Sequence, residues 1–309
     1  MTRNYLIDFT ARKVRKLHGI SPENWFIAKK ISQAEYDKAE SNFAKLSDVG
    51  EGDIGALADC LESCREFIQI HFRTEDPSTH VQKLKRFWEM PNGLFILNLW
   101  FEWVCGGSDG GNIAAVIEEK FDENMKIVER VLIDQNCDEF EKELKVAEKS
   151  SVEKFGNHTM FGIYLLRQLC KLWKNHPEKI LFIEGEDKLK DISQQPYLHI
   201  LKVHQHGEDV YDESFVISVR VGTTVIFEDV TFCQGLAAIL QITFSFNLLY
   251  DPAVDDIYNY LQRILARFGP VEGARNKKNH PKKNFVEFQC TLGKLILEAK
   301  KGNVLKVNI

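Results

Sequence analysis

Cysteine and histidine are the residues of this chain best suited to metal binding or nucleophilic chemistry, and they fall into three groups. Cys60, Cys64 and His71 share one stripe of a predicted helix. Only Cys60 and Cys64 could share an ion with bonds of about 2.0–2.3 Å, because positions 60 and 71 stand about 16 Å apart along a helix. No CxxC pair supplies the two further ligands. His199, His204 and His206 form the second group. Positions 204 and 206 share a face of an extended strand, yet the nearest acids, Glu208 and Asp209, belong to a stretch, HQHGED, that reads equally as a polar turn. His158 and Cys170 would be a base and a thiol, but on one helix they lie about 18 Å apart, too far to exchange a proton. There is no H-E-x-x-H helix. The spacing predicts no catalytic residue, no metal and no cofactor.

Two stretches could instead meet an anion. GGSDGG, at 106–111, is rich in glycine, but it lacks the Gly-Lys-Ser/Thr ending of a P-loop, and Asp109 stands where G-x-G-x-x-G needs glycine. It reads as a turn. Residues 263–283 carry seven basic side chains against one acid, Glu272. Gly269, Pro270, Gly273 and Pro281 make most of this stretch a loop, so Arg275, Lys277, Lys278, Lys282 and Lys283 are the candidate nucleic-acid contacts. No aromatic residue lies between Pro270 and Asn284, so a stacking platform does not accompany the charge.

The elements that would position such groups are clearest between residues 214 and 265. Phe215, Ile217, Val219 and Val221 alternate with Val216, Ser218 and Arg220, as on a strand with one apolar face. Gly222 and Thr223 turn the chain into a second strand over 224–228, with Val225 and Phe227 expected on one face. Residues 230–246 are apolar on nearly every side, which predicts a central helix buried all round. Pro252 is expected to open a further helix, with Ile257, Tyr258 and Leu261 inward and Asp255, Asp256 and Asn259 outward. Upstream, 197–203 and 179–184 read as strands and 160–173 as an apolar helix.

The first half reads as helical, over 5–17, 32–46, 53–72 and 81–90. The aromatic run at 94–105 leaves helix and buried strand undecided. Residues 118–154 hold twelve acids and seven bases, several paired four apart with the acid first, which predicts two solvated helices. A last helix is expected over 284–300. The expected organisation is a helix-rich region, 1–150, followed by an α+β domain, 151–309. The whole is predominantly α-helical, with a small antiparallel sheet covered by helices in the C-terminal half.

Composition narrows the partner. The 309 residues are 44% hydrophobic and 28% charged, as in a globular protein, and the net charge of -5 predicts no overall attraction to nucleic acid or anionic lipid. Seven scattered cysteines, and no apolar run long enough for a signal peptide or a membrane span, predict a cytoplasmic or nuclear protein with no membrane partner.

FVISVRVG, an apolar helix ending in FSFNLLYDP, a helix containing YLQRIL and a basic segment before a final helix occur here in that order. Over residues 155–300 this resembles the animal family of sterile alpha motif domain-containing protein three-like proteins, although no sterile alpha motif is recognisable in this N-terminal half. The resemblance implies a fold and carries over no functional residue. The sequence reading is therefore a non-enzymatic interaction or scaffold module with a protein partner. The alternative is a nucleic-acid-associated protein, of a kind derived from mobile elements, acting through 275–283.

Overall fold

The computed structural model describes residues 32–49, 53–64, 67, 93–105, 113–135, 159–188, 195–206, 211–245 and 251–266. The expected helices at 5–17, 81–90 and 284–300, the glycine stretch at 106–111, the second charged helix, the boundary near 150–157 and residues 267–283 lie outside this set.

Helix α1, Gln33–Ala44, begins at Ser32, whose hydroxyl accepts from the Glu35 amide while Glu35 reaches back to the Ser32 amide at 2.7 Å. This reciprocal cap satisfies amides that a helix start leaves without partners. Helix α2, Ile54–Ser63, is capped by Asp53, which accepts from the Ala56 amide at 2.9 Å. Leu57 and Leu61 are buried at the expected helical spacing, but the helix expected over 53–72 ends at Ser63, with buried Cys64 as its C-cap.

The aromatic run is a helix, α3, Gly93–Cys105. Ile96, Leu97 and Phe101 are buried, and Leu94, Phe95 and Leu99 pack partly buried against the core, so these residues do not form an exposed apolar patch. Helix α4, Ile113–Gln135, takes the first part of the charged stretch. Its apolar stripe, Ile113, Ile117, Phe121, Met125, Val128 and Leu132, is fully used in the core. Helix α5, Thr159–Leu172, leads through a short 3-10 turn, Pro177–Lys179, into the sheet.

The sheet has four strands in chain order: β1 Leu181–Ile183, β2 Pro196–His206, β3 Tyr211–Val221 and β4 Thr224–Phe227. β2, β3 and β4 are antiparallel, with Gly222 at φ 60° in the last turn. β1 runs parallel to β2, so the sheet is mixed where the sequence reading expected an antiparallel one. A three-residue strand carries no directional pattern of its own, so only its partner decides.

A second correction concerns β4. Its register shifts between Val219 and Arg220, so Phe227 lies opposite Val219 while Val225 lies opposite Arg220. One extra residue inverts the alternation, and Val225 and Phe227 fall on opposite faces rather than the same one.

Helix α6, Phe232–Ser245, starts with another reciprocal cap between Thr231 and Gln234 at 2.9 and 3.2 Å. It packs on β2 and β3 with one side and on α3 and α4 with the other. Leu236 through Ile242 are accordingly buried without a break. Each fully buried Leu or Ile contributes about 1.5–3 kcal/mol, so this helix anchors the core. Its two buried polar side chains are both satisfied, Gln241 donating to the side-chain oxygen of Asn98 on α3 and Thr243 to the Ile239 carbonyl at 2.6 Å. Gly235 lets the helix approach the sheet, since a Cβ there would stand 2.8 Å from Leu198.

Helix α7, Asp255–Tyr260, starts three residues after Pro252 and passes into a π-turn, Leu261–Leu265. Asp256, expected on the solvent side, is fully buried. Asn175 explains the difference. Its Nδ2 donates to Asp256 at 3.3 Å and its Oδ1 accepts from the Ile257 amide at 3.1 Å, so the polar start of α7 is received inside the fold.

Candidate functional site: the outer face and open edge of the sheet

Strand alternation gives the sheet two chemically different faces. Leu198, Ile200, Ile217, Val219 and Val221 are buried, and α6 packs on their strands. The cross-strand pairs Tyr197 with Arg220, His199 with Ser218 and Leu201 with Val216 occupy the other face, next to Phe182 of β1. This second face holds polar groups in a row, and Tyr197, His199 and Ser218 on it are buried, at 5–6% exposure.

His199 is 6% exposed and lies over the Phe182 ring with centroids 5.4 Å apart and planes 24° apart. Its Nε2 meets Glu184 Oε2 at 3.0 Å. Burial and then the Arg220 charge hold the imidazole below its ordinary pKa, outweighing the opposite pull of Glu184. The neutral ring therefore donates from Nε2, which leaves Nδ1 as an acceptor. Nδ1 has no hydrogen-bond partner among the described residues.

Arg220 Nε donates to Ser218 Oγ at 3.3 Å, and Tyr197 donates its hydroxyl to the Gly222 carbonyl at 3.0 Å. Burial raises the Tyr197 phenol, while the Arg220 charge pulls the other way. Among the described residues, the Arg220 guanidinium, hydrogen-bonded to Ser218 and Tyr197, has no carboxylate partner and stands beside the neutral His199 acceptor.

The second feature is a backbone edge. β2 and β3 pair along their full lengths, from Pro196 with Val221 to His206 with Tyr211. β1 covers β2 only at Leu198 to Ile200. The Leu198 amide donates to Ile180 at 2.9 Å and the Ile200 carbonyl accepts from Glu184 at 2.9 Å, so even-numbered residues of β2 present their backbone groups on that side. By the same alternation Lys202, His204 and His206 present theirs along an edge that no described strand pairs with. Beside it, Leu201, 38% exposed, is the sole exposed large hydrophobic residue among those described.

The sulfur and histidine groups named from sequence take other places. Cys60 Sγ donates to the Asn42 carbonyl at 3.4 Å and Cys64 Sγ to the Leu61 carbonyl at 3.2 Å, while His71 lies outside the described residues. Cys170 is wholly buried, which pushes its thiol far up, and His158 is also outside the described set. The histidine trio divides, because position 199 has the opposite strand parity to 204 and 206. No group of three or more metal-ligating side chains occurs among the described residues. Arg275, Lys277, Lys278, Lys282 and Lys283 all lie outside them.

Sequence reading did not single out Arg220 or Glu184. The available signal was an arginine at a face position of an alternating strand, opposite a histidine-bearing strand.

No helix among the described residues is long and apolar enough to cross a membrane. In comparisons with known proteins, no family model matches the chain, and neither does a curated protein or a solved structure.

Proposed function

We propose that this chain works by binding rather than catalysis, as an interaction module that receives an extended, acidic segment of a protein partner along the open edge of β2. The observation that carries this reading is the ladder of β2 continuing past the end of β1, with exposed Leu201 at its root. A partner strand added there would continue the line of β1, gain main-chain hydrogen bonds from Lys202, His204 and His206, and cover Leu201. Residues 201–206 include one lysine and two histidines and no acid, which favours negative side chains on the incoming segment. The buried or carbonyl-bonded thiols of Cys60, Cys64 and Cys170 support binding over nucleophilic chemistry.

The test is selection of random extended peptides on the full chain, repeated on two proline variants. Lys202→Pro removes an edge N–H without touching the β2/β3 ladder, so it should abolish peptide binding and leave the unfolding transition nearly in place. Val203→Pro removes a ladder bond to β3 and should lower the unfolding midpoint clearly below that of Lys202→Pro. Selected peptides that bind Lys202→Pro as well as wild type would refute strand addition.

A second reading, nucleic-acid association, rests on the balance of seven bases to one acid over 263–283. It requires salt-sensitive binding to DNA or RNA that is lost when Arg275, Lys277, Lys278, Lys282 and Lys283 are neutralised. Absence of binding at low salt would remove it.

A further inference from the structure

We propose that Arg220 and His199 form a phosphate-binding site on the outer face of the sheet, with the guanidinium donating to phosphoryl oxygens and His199 Nδ1 accepting from a P–OH group. The site is independent of strand addition, which uses the backbone edge of β2 rather than this face.

The geometry supplies both halves. Tyr197 and Arg220 are directly opposed across β2 and β3, as are His199 and Ser218. Arg220 therefore stands diagonal to His199, within the reach of a long side chain. Its Nε is held by Ser218 at 3.3 Å, which fixes the plane of the guanidinium on this face. Tyr197 takes a further hydrogen bond from the guanidinium. The N–H groups left over suit a tetrahedral oxyanion, and no carboxylate among the described residues neutralises them.

His199 sets the selectivity. Its side chain is only 7% exposed, stacks on the Phe182 ring and meets the Glu184 carboxylate through Nε2. Glu184 takes the Nε2 proton, so Nδ1 carries a lone pair and calls for a donor on the ligand. The charged and titratable groups identified around the ring are Glu184 at the end of β1, Arg220 on β3 and Tyr197 on β2. Glu184 meets the nitrogen remote from the proposed ligand and its side chain is 54% exposed, so water screens its repulsion. Inorganic phosphate at neutral pH offers oxygens for Arg220 and a P–OH for Nδ1, whereas a phosphomonoester, with a second pKa of about 6, keeps its P–OH only in its minority monoanion. Sulfate has the same shape and no such proton.

The experiment is calorimetric titration of the full chain at pH 6.5 and low ionic strength with inorganic phosphate, phenyl phosphate and sulfate. One set uses wild type, one Arg220→Gln and one His199→Gln, with thermal unfolding of each variant as the check on folding. Phosphate or its ester should bind at least roughly tenfold more tightly than sulfate, because a site built to accept a hydrogen bond rejects the analogue that lacks it. Arg220→Gln should lose binding of all three anions, whereas His199→Gln should bring phosphate and sulfate to similar affinity. Tighter binding of phenyl phosphate than of phosphate assigns the site to an ester, and the reverse assigns it to the free ion. No phosphate binding by wild type, equal binding of phosphate and sulfate, or undiminished binding by a folded Arg220→Gln would overturn the proposal. Should both variants unfold, the imidazole nitrogen resonances of wild type decide. Phosphate must move those of His199, and failure to do so rejects the site.

Discussion

Arg167 on α5 holds Asp187, 20 residues further on, through both terminal nitrogens at 2.7 and 2.8 Å. The same guanidinium donates to the Leu181 carbonyl at 2.9 Å, and Asp187 accepts from the Ile183 amide at 2.7 Å. One ion pair thus ties a helix to both ends of β1, the strand next to which His199 and Glu184 meet. Their side chains are 17% and 11% exposed, so the pair is mostly withdrawn from water.

Removing one partner of this pair strands the other. Arg167→Ala should lower unfolding free energy by about 3–5 kcal/mol in urea titrations. Arg167→Lys should recover little, because an ammonium cannot reproduce the two-pronged contact. Burial opposes ionisation of Asp187, but the Arg167 hydrogen bonds, the Ile183 amide and the nearby positive charges prevail and hold its carboxyl below the usual range. A depressed folded pKa stabilises the fold above the unfolded value of about 3.9, and that contribution disappears as pH falls through the folded value. Asp187→Asn should therefore lose less stability than wild type between about pH 4 and pH 2. An identical acid limb in the two proteins would rule out this role.

His199 gives the opposite test near neutrality. Its folded pKa is lowered, first by burial and then by Arg220, so between that value and the unfolded value of about 6.5 the unfolded chain holds more protons. Stability must then rise with pH across this window. Wild type should lose stability from pH 7.5 to 5.5 in urea melts, and His199→Gln should lose less over the same interval. A steeper loss in the variant would show that the imidazole is charged in the fold.

Gly162 tests the packing of α5 on α4. A Cβ at this position would lie 2.2 and 2.7 Å from two atoms of the Phe121 ring, which itself meets Phe232 edge-on at 5.7 Å. Gly162→Ala should cost about 1–3 kcal/mol despite the better helix propensity of alanine. Combining it with Phe121→Leu should restore part of the loss, as a double-mutant cycle would measure.

Much of the fold was legible because local backbone geometry imposes local periodicity. The alternation from Phe215 to Val221 located β3, and Gly222 located the turn into β4. Apolarity through Leu236 to Ile242, interrupted only by Gln241, announced a helix enclosed on all sides. Of the candidate site, sequence singled out His199 but grouped it with His204 and His206, although strand parity already divides them.

What the sequence by itself determined is therefore the kind and approximate extent of the central elements, since hydrogen bonds and side-chain direction within an element depend on near neighbours. Tertiary structure alone decided the parallel pairing of β1, the bulge that turns Val225 away from Phe227, and the burial of Asp256 against Asn175, 81 residues away. It also placed Arg220 beside His199 and ended β1 before β2, because pairing partners, register and face coverage arise from contacts between residues that are remote along the chain.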